Sequence, residues 1–287
     1  MSSTLESGVA SRRIEIEVGG ADPVELRYLE AGEGPPVVLL HGIGLDAAAV
    51  SWRYALPGLA RDRRVLAPDF PGHGESDKPE REYTTEYFVS VLREFLDALD
   101  LDGASLVGTS MGGAVAMGHL LEGGRAAALV LASSHGLGRD APWRIPGYFL
   151  LRTPFFDSVL GANLGANPAT VAGGLASMAV DPDPEFVADV RRTVTDPAVA
   201  RTLGSWQRDE FRPCGLKTCY LDRLDELDVP TLLIHGNQDP IFPVAWSERA
   251  SERLPDGRLV PFESCGHWSS REHPERFNRV VGQFLGA

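Results

Sequence analysis

Leu106-Val107-Gly108-Thr109-Ser110-Met111-Gly112-Gly113 is the stretch on which the reading of this 287-residue chain turns. An apolar run leads directly into a serine flanked by glycines, and a helix-compatible run follows. The order strand, Gly-x-Ser-x-Gly, helix describes a sharp turn that lifts the serine hydroxyl clear of the backbone. Such a turn strains the serine, and the residues two before and two after it must be small to clear the neighbouring strand and helix. Gly108 and Gly112 meet that demand. Ala114, Ala116 and Met117 continue a helix of small residues that can lie close under a sheet. Its free N-terminal N–H groups face any negative charge developing at the serine.

The flanking sequence fits this reading. Upstream, Phe88, Val91, Leu92, Phe95 and Leu99 recur at helical spacing. Short apolar runs at 14–18, 24–29, 37–40, 65–67, 105–107 and 129–131 read as strands and, beyond the first pair, alternate with helical patterns, the signature of a mostly parallel sheet. The first two runs have no helix between them and are expected to form an antiparallel hairpin. From 135 to 221 the rhythm changes to short helical stretches broken by Pro and Gly, with no confident strand. Strand and helix then return, at 231–235, 244–254 and 258–262, followed by a last helix carrying Phe277, Val280, Val281, Phe284 and Leu285. The expected organisation is one sheet domain in two parts, 1–134 and 222–287, with an insertion over 135–221. An insertion has little core of its own, so some of its aromatics, among them Trp143, Tyr148, Phe149, Phe155 and Phe156, are expected to line a substrate pocket.

At 43% hydrophobic residues the chain can bury a large core. A formal charge of −13 argues against nucleic acid or an anionic membrane surface as partner, since either needs clustered Lys and Arg. No apolar run is long enough to span a bilayer and residues 1–18 are polar, so no membrane insertion and a cytoplasmic location are expected. Cys214, Cys219 and Cys265 are too few and too scattered for a disulfide framework or a four-ligand zinc site, and read as reduced structural thiols.

A serine hydroxyl is a poor nucleophile unless a base lies within hydrogen-bond reach, and that base needs a partner to fix its tautomer. Two later strand ends offer them. Leu232-Leu233-Ile234-His235-Gly236-Asn237-Gln238-Asp239 places Asp239 in a turn after a buried strand, and Val260-Pro261-Phe262-Glu263-Ser264-Cys265-Gly266-His267 places His267 after the next. Both loops open at the C-terminal edge of a parallel sheet, where such proteins gather their sites. Asp222, Asp225 and Asp228 are rivals for the acid, but they precede the strand and read as solvated charges. His119 reads as a surface or packing residue, and His235 precedes a turn glycine.

These motifs resemble those of the α/β-hydrolase family. Its chain order is Ser, then Asp, then His. The resemblance also rests on His41-Gly42-Ile43-Gly44, on Asp69-Phe70-Pro71-Gly72-His73-Gly74, on His235-Gly236 with Asp239-Pro240, and on Gly266-His267. It implies an α/β fold, a mostly parallel eight-stranded sheet with an inserted helical cap over 135–221. It further implies that Ser110 attacks a carbonyl, His267 moves the proton and Asp239 holds the imidazole. The oxyanion-hole donors would be the backbone N–H groups of Ile43 and Met111. His41 would brace that loop and His73 the Pro71-Gly72 turn. No metal or organic cofactor is implied.

A serine at the turn, where haloalkane dehalogenases and epoxide hydrolases place an aspartate, sets those two activities aside. Hydrolysis of a hydrophobic carboxylic ester or lactone, most simply by a carboxylesterase, is the expected activity. An alternative follows from Ser51-Trp52-Arg53, the Ser110-Met111-Gly112-Gly113 turn and Cys265-Gly266-His267-Trp268, which are similar to carbon–carbon bond hydrolases of meta-cleavage products. This chain departs from those enzymes at Gly44-Leu45-Asp46, where they carry Gly-Pro-Gly, and at Thr109, where they carry Asn. A second alternative is a non-catalytic ligand receptor on the same scaffold.

Overall fold

The computed structural model describes residues 8–141, 144–153 and 173–286. Eight strands form one sheet: β1 (Ala10–Ile16), β2 (Val24–Ala31), β3 (Pro36–Leu40), β4 (Arg64–Pro68), β5 (Ser105–Thr109), β6 (Leu129–Ala132), β7 (Thr231–Gly236) and β8 (Gly257–Phe262). Their order across the sheet is β1-β2-β4-β3-β5-β6-β7-β8. β2 pairs antiparallel with β1 and with β4, and every other pairing is parallel. This is the mostly parallel sheet expected from the strand pattern, with the eight strands that the family resemblance implies.

The continuous apolar runs are explained by burial on both faces. Along β3, Val38 and Leu40 join the core on one side while Val37 and Leu39 join the core on the other. Leu106 and Val107 of β5, and Leu129 and Val130 of β6, divide in the same way. On the first face, helix α1 (Thr85–Ala98) buries Phe88, Val91, Leu92 and Phe95, and its N-terminus is capped by Thr84, whose Oγ1 accepts from the Tyr87 N–H at 3.1 Å. Leu99 falls just past the last turn and is partly buried against the same core. On the second face, Trp52, Leu56, Phe277 and Val281 form the facing layer. β1 is shifted from its expected position at 14–18: pairing with β2 begins at Ala10↔Glu30 and ends at Ile16↔Val24, because on this exposed edge ladder bonds rather than apolar content set the limits.

Between β6 and β7 the described chain carries a short helix at Arg144–Leu150 and two longer ones, α3 (Pro184–Val194) and α4 (Pro197–Glu210). Each of the longer two opens with an aspartate N-cap followed by proline, Asp183-Pro184 and Asp196-Pro197. A two-residue antiparallel ladder, Phe211–Arg212 with Gly215–Leu216, follows where no strand was expected. α3 is fastened to the sheet domain by Asp189, which accepts from the buried Arg271 at 2.7 Å and lies 3.3 Å from Arg53. Beside that pair Val50, Phe186, Val190 and Trp268 form a separate apolar cluster. No described helix is long and apolar enough to cross a membrane.

Candidate active site

Ser110 leaves β5 at φ 51° and ψ −122°, left-handed and extended at once, and Met111 begins helix α2 (Met111–Leu121) immediately after it. The two glycines are required by close approach rather than by torsion. A Cβ at Gly112 would lie 2.2 Å from the Leu40 carbonyl oxygen, and one at Gly108 would lie 2.5 Å from the Gly112 backbone. The strand, turn and helix read from the sequence are therefore present, with Ser110 at the C-terminal edge of the sheet.

The parallel strands bring five other loops to that edge, those after β3, β4, β6, β7 and β8. His267 follows β8 and is 5% exposed; its Nδ1 lies 2.8 Å from Asp239 Oδ2. The other Asp239 oxygen accepts from the Ile241 and Phe242 N–H groups at 2.8 and 3.2 Å, so the acid is held in a fixed orientation. Burial alone would raise the Asp239 carboxyl, but the His267 imidazole beside it holds it below the usual range. Burial likewise disfavours charge on His267, and the Asp239 carboxylate overcomes that and raises the imidazole above its ordinary value. Asp222, Asp225 and Asp228 are all exposed, and Asp222 pairs with Arg253. Glu272 braces the loop that carries His267, accepting from the Gly266, Trp268 and Val180 N–H groups at 2.8, 2.9 and 2.7 Å.

The loop after β3 is tied down on both sides of Ile43. The Gly42 N–H donates to Asp46 Oδ2 at 2.7 Å, and the Gly44 N–H donates to His73 Nε2 at 3.0 Å. Among the described hydrogen bonds the Ile43 N–H has no protein acceptor. Met111, as the first helical residue, has no intrahelical acceptor either. The histidines here are structural. His41 Nε2 accepts from the Phe70 N–H at 2.9 Å, so Nδ1 donates to the Gly42 carbonyl at 2.6 Å. His73 bridges Gly44 to the Pro71 carbonyl, and burial followed by the neighbouring His41 pushes its pKa well below the ordinary value. His235, buried between Ser247 and the Phe242 carbonyl, is lowered by burial as well.

Sequence reasoning missed Asp46, noted only as a departure from a glycine-rich pattern. Its completely buried carboxylate accepts from Gly42 N–H, Ala47 N–H and the Ser51 hydroxyl at 2.7, 2.8 and 2.6 Å. An aspartate four residues after a loop glycine was the available signal.

Ser110, Ile43 and His267 line one cavity of about 250 Å³. Its walls are largely apolar: Leu203, Trp206, Phe211, Leu216, Ile241, Phe242 and Trp268. No Lys or Arg lines it among the described residues, and Asp46 contributes a buried negative charge. Tyr148 and Phe149 do not line it, and Phe149 is instead exposed; Trp143, Phe155 and Phe156 lie outside the described residues. Among the described residues, the aromatics that the insertion contributes to the wall are Trp206 and Phe211. Cys265 is buried in the core, and burial pushes its thiol up, away from reactivity. Among the described residues no group of three or more His, Cys, Asp and Glu could hold a metal ion.

Comparison with known proteins places the chain in context. A family model described as the alpha/beta hydrolase fold matches residues 35–274. The chain is 33% identical to a 2-hydroxy-6-oxo-6-(2'-aminophenyl)hexa-2,4-dienoic acid hydrolase of Metapseudomonas resinovorans, over 94% of this chain and 89% of that protein. Among solved structures, a serine hydrolase involved in carbazole degradation superposes with a TM-score of 0.78 at 30% identity, covering 96% of this chain and 99% of the other. Est816, an N-acyl homoserine lactone degrading enzyme, superposes with a TM-score of 0.70 at 26% identity, covering 94% of this chain and 100% of the other.

Proposed function

Because the chain belongs to the α/β-hydrolase family, we propose that it is a serine hydrolase that cleaves an uncharged, hydrophobic carboxylic ester or lactone through an acyl-enzyme. Ser110 Oγ attacks the carbonyl carbon as His267 Nε2 takes its proton. Nδ1 is already committed to Asp239, so the ring has one nitrogen left for this task. Asp239 stabilises the imidazolium that forms. The oxyanion is received by the Ile43 and Met111 N–H groups, each typically worth about a hundred- to thousand-fold in rate. His267 returns the proton to the leaving alkoxide, and a water activated by the same imidazole then releases the acid from Ser110. Residues 135–221 act as the cap. Leu203, Trp206 and Gln207 of α4 supply the roof of the cavity and exclude water from the acyl group.

The observation that carries the substrate class is the composition of the cavity wall. It is largely apolar, holds the buried Asp46 carboxylate and has no Lys or Arg among the described residues. An anionic substrate would bring its own charge out of water against Asp46 with no Lys or Arg to receive it, which is unfavourable by several kcal/mol or more. A neutral ester meets no such penalty.

A second reading, hydrolysis of a carbon–carbon bond in a meta-cleavage product, is favoured by the relative of Metapseudomonas resinovorans, whose name specifies a dienoic acid. The two are separated by one comparison: kcat/KM of the purified protein on phenyl butyrate and on a 2-hydroxy-6-oxohexa-2,4-dienoate. Preference for the ester by tenfold or more is expected. Preference for the dienoate would replace the ester reading with the second.

A further inference from the structure

The mechanism above leaves one buried pair unused. The chain leaves β6 through Ser133 at φ 41°, and the His135 N–H then donates to the Ser110 carbonyl at 3.0 Å, fixing His135 beside the nucleophile. The imidazole is completely buried and lines the catalytic cavity, packed edge-on to Trp206 and against Phe242. Its Nε2 lies 3.2 Å from Glu210 Oε2, without the alignment of a hydrogen bond. Its Nδ1 is buried with no protein partner.

Glu210 is arranged as an anion. Its Oε1 accepts from the Thr85 and Thr218 hydroxyls at 2.6 and 2.5 Å, and its Oε2 accepts from the Thr218 N–H at 2.9 Å. Burial would raise its carboxyl, but His135 alongside and these hydrogen bonds bring it down to about 2. The same Thr85 hydroxyl accepts from the Trp206 indole N–H at 3.1 Å, so the wall of the cavity is built on this network. A completely buried carboxylate needs polar partners, and His135 stands against it alongside the two threonines. The carboxylate occupies the Nε2 side and leaves Nδ1 without a protein partner. A donor buried unpaired costs about 1–3 kcal/mol, which a bound ligand recovers. The Glu210 carboxylate stands against the same ring and would repel an anion there, so that ligand is an uncharged oxygen.

We propose that His135 Nδ1–H is the specificity-determining donor of this site, and that it binds a second, uncharged carbonyl or ether oxygen of the substrate, apart from the carbonyl attacked by Ser110. The preferred substrates are then oxo-esters or acyl-lactones rather than simple alkyl esters. This rests on the hydrolase reading given above.

The test uses phenyl esters in pairs that differ only by a CH2 replaced with C=O: pentanoate against 4-oxopentanoate, hexanoate against 5-oxohexanoate, heptanoate against 6-oxoheptanoate. The wild-type protein is expected to prefer the oxo member of at least one pair by about tenfold or more in kcat/KM. His135→Phe combined with Glu210→Gln, so that no carboxylate is stranded, is expected to bring that ratio to about one; the ratio cancels any loss common to both esters. Equal rates within every pair for the wild type, or an oxo preference that survives in the double variant, would overturn the assignment. Binding of the same pairs to Ser110→Ala gives the ratio without turnover. Absence of hydrolysis of either ester is thereby distinguished, as a failure of the hydrolase reading, from equal binding within a pair, which is a failure of the His135 assignment.

Discussion

Asp46→Asn isolates the support of the oxyanion loop from the loop itself. In the native protein Asp46 Oδ2 receives two donors, Gly42 N–H and the Ser51 hydroxyl, while Oδ1 receives Ala47 N–H. Asparagine has the same shape but one acceptor oxygen. With that oxygen at the Oδ2 position, its NH2 group opposes the Ala47 N–H; flipped, it opposes the Gly42 N–H, and only the Ser51 hydroxyl can reverse its role. One buried backbone donor is stranded in either orientation, at about 1–3 kcal/mol, together with the extra strength of bonds to a charged acceptor. For a chain of this size the melting temperature should fall by about 2–6 °C. Relaxation of Gly42 swings the adjacent Ile43 N–H, so kcat on phenyl butyrate should fall by about 10- to 100-fold. That is less than the loss of a whole oxyanion donor. KM should change little, because the apolar walls are untouched. Calorimetry and steady-state kinetics at 20 °C measure both. A lowered melting temperature with kcat within twofold of wild type would refute the reasoning, since the Ile43 N–H would then be aimed without Asp46.

Other expectations follow from the same geometry. Ser110→Ala and His267→Ala should each lower kcat by about 10⁴- to 10⁶-fold with the fold intact by circular dichroism, and retention of more than a few per cent by Ser110→Ala would exclude Ser110 as nucleophile. Asp239→Asn should cost up to about 10⁴-fold, while Asp222→Asn, Asp225→Asn and Asp228→Asn stay near wild type; the reverse pattern in the same ester assay would reassign the acid. His267 must be neutral to act as base and its pKa is raised by Asp239, so the acid limb of kcat/KM against pH should have its midpoint above 6.5. For stability the sign is opposite. The raised value means that folding favours the protonated ring, a contribution present below about pH 6.5 and lost as pH rises through the folded pKa, visible as the difference in melting temperature between wild type and His267→Ala across pH. Gly112→Ala, which in an ordinary helix stabilises by up to about 1 kcal/mol, should here destabilise by about 1–3 kcal/mol or more, because the new Cβ meets the Leu40 carbonyl at 2.2 Å; denaturant unfolding decides the sign.

Much of this protein was legible before any coordinates. A parallel strand covered on both faces must be apolar throughout, so β3, β5, β6 and β7 announce themselves as short continuous runs. The turn at Ser110 is equally local: steric demands two residues to either side force Gly108 and Gly112, and five residues suffice to read it. Asp239 and His267 were legible because each lies in a loop just past a strand, and parallel strands deliver their following loops to one edge. The aromatic lining was not. Tyr148 and Phe149 look like pocket residues by composition, but the seven-residue helix that carries them is too short for a period that tells its inner face from its outer one.

By itself the sequence determined the strand runs and marked Ser110, Asp239 and His267 as candidates, because those readings depend on local patterning and on chain order. Tertiary structure alone decided how the loops are held and what the cavity can accept. Arg271 reaches Asp189 across 82 residues of sequence, and Thr85 reaches Glu210 across 125. Neither pairing leaves a trace in spacing, since a hydrogen bond depends on where two folded segments meet rather than on how far apart they lie along the chain. His135 shows the same limit: nothing around it in the sequence distinguishes it from a packing residue, and only the folded chain places a buried carboxylate by one of its nitrogens and the cavity of Ser110 and His267 alongside the ring.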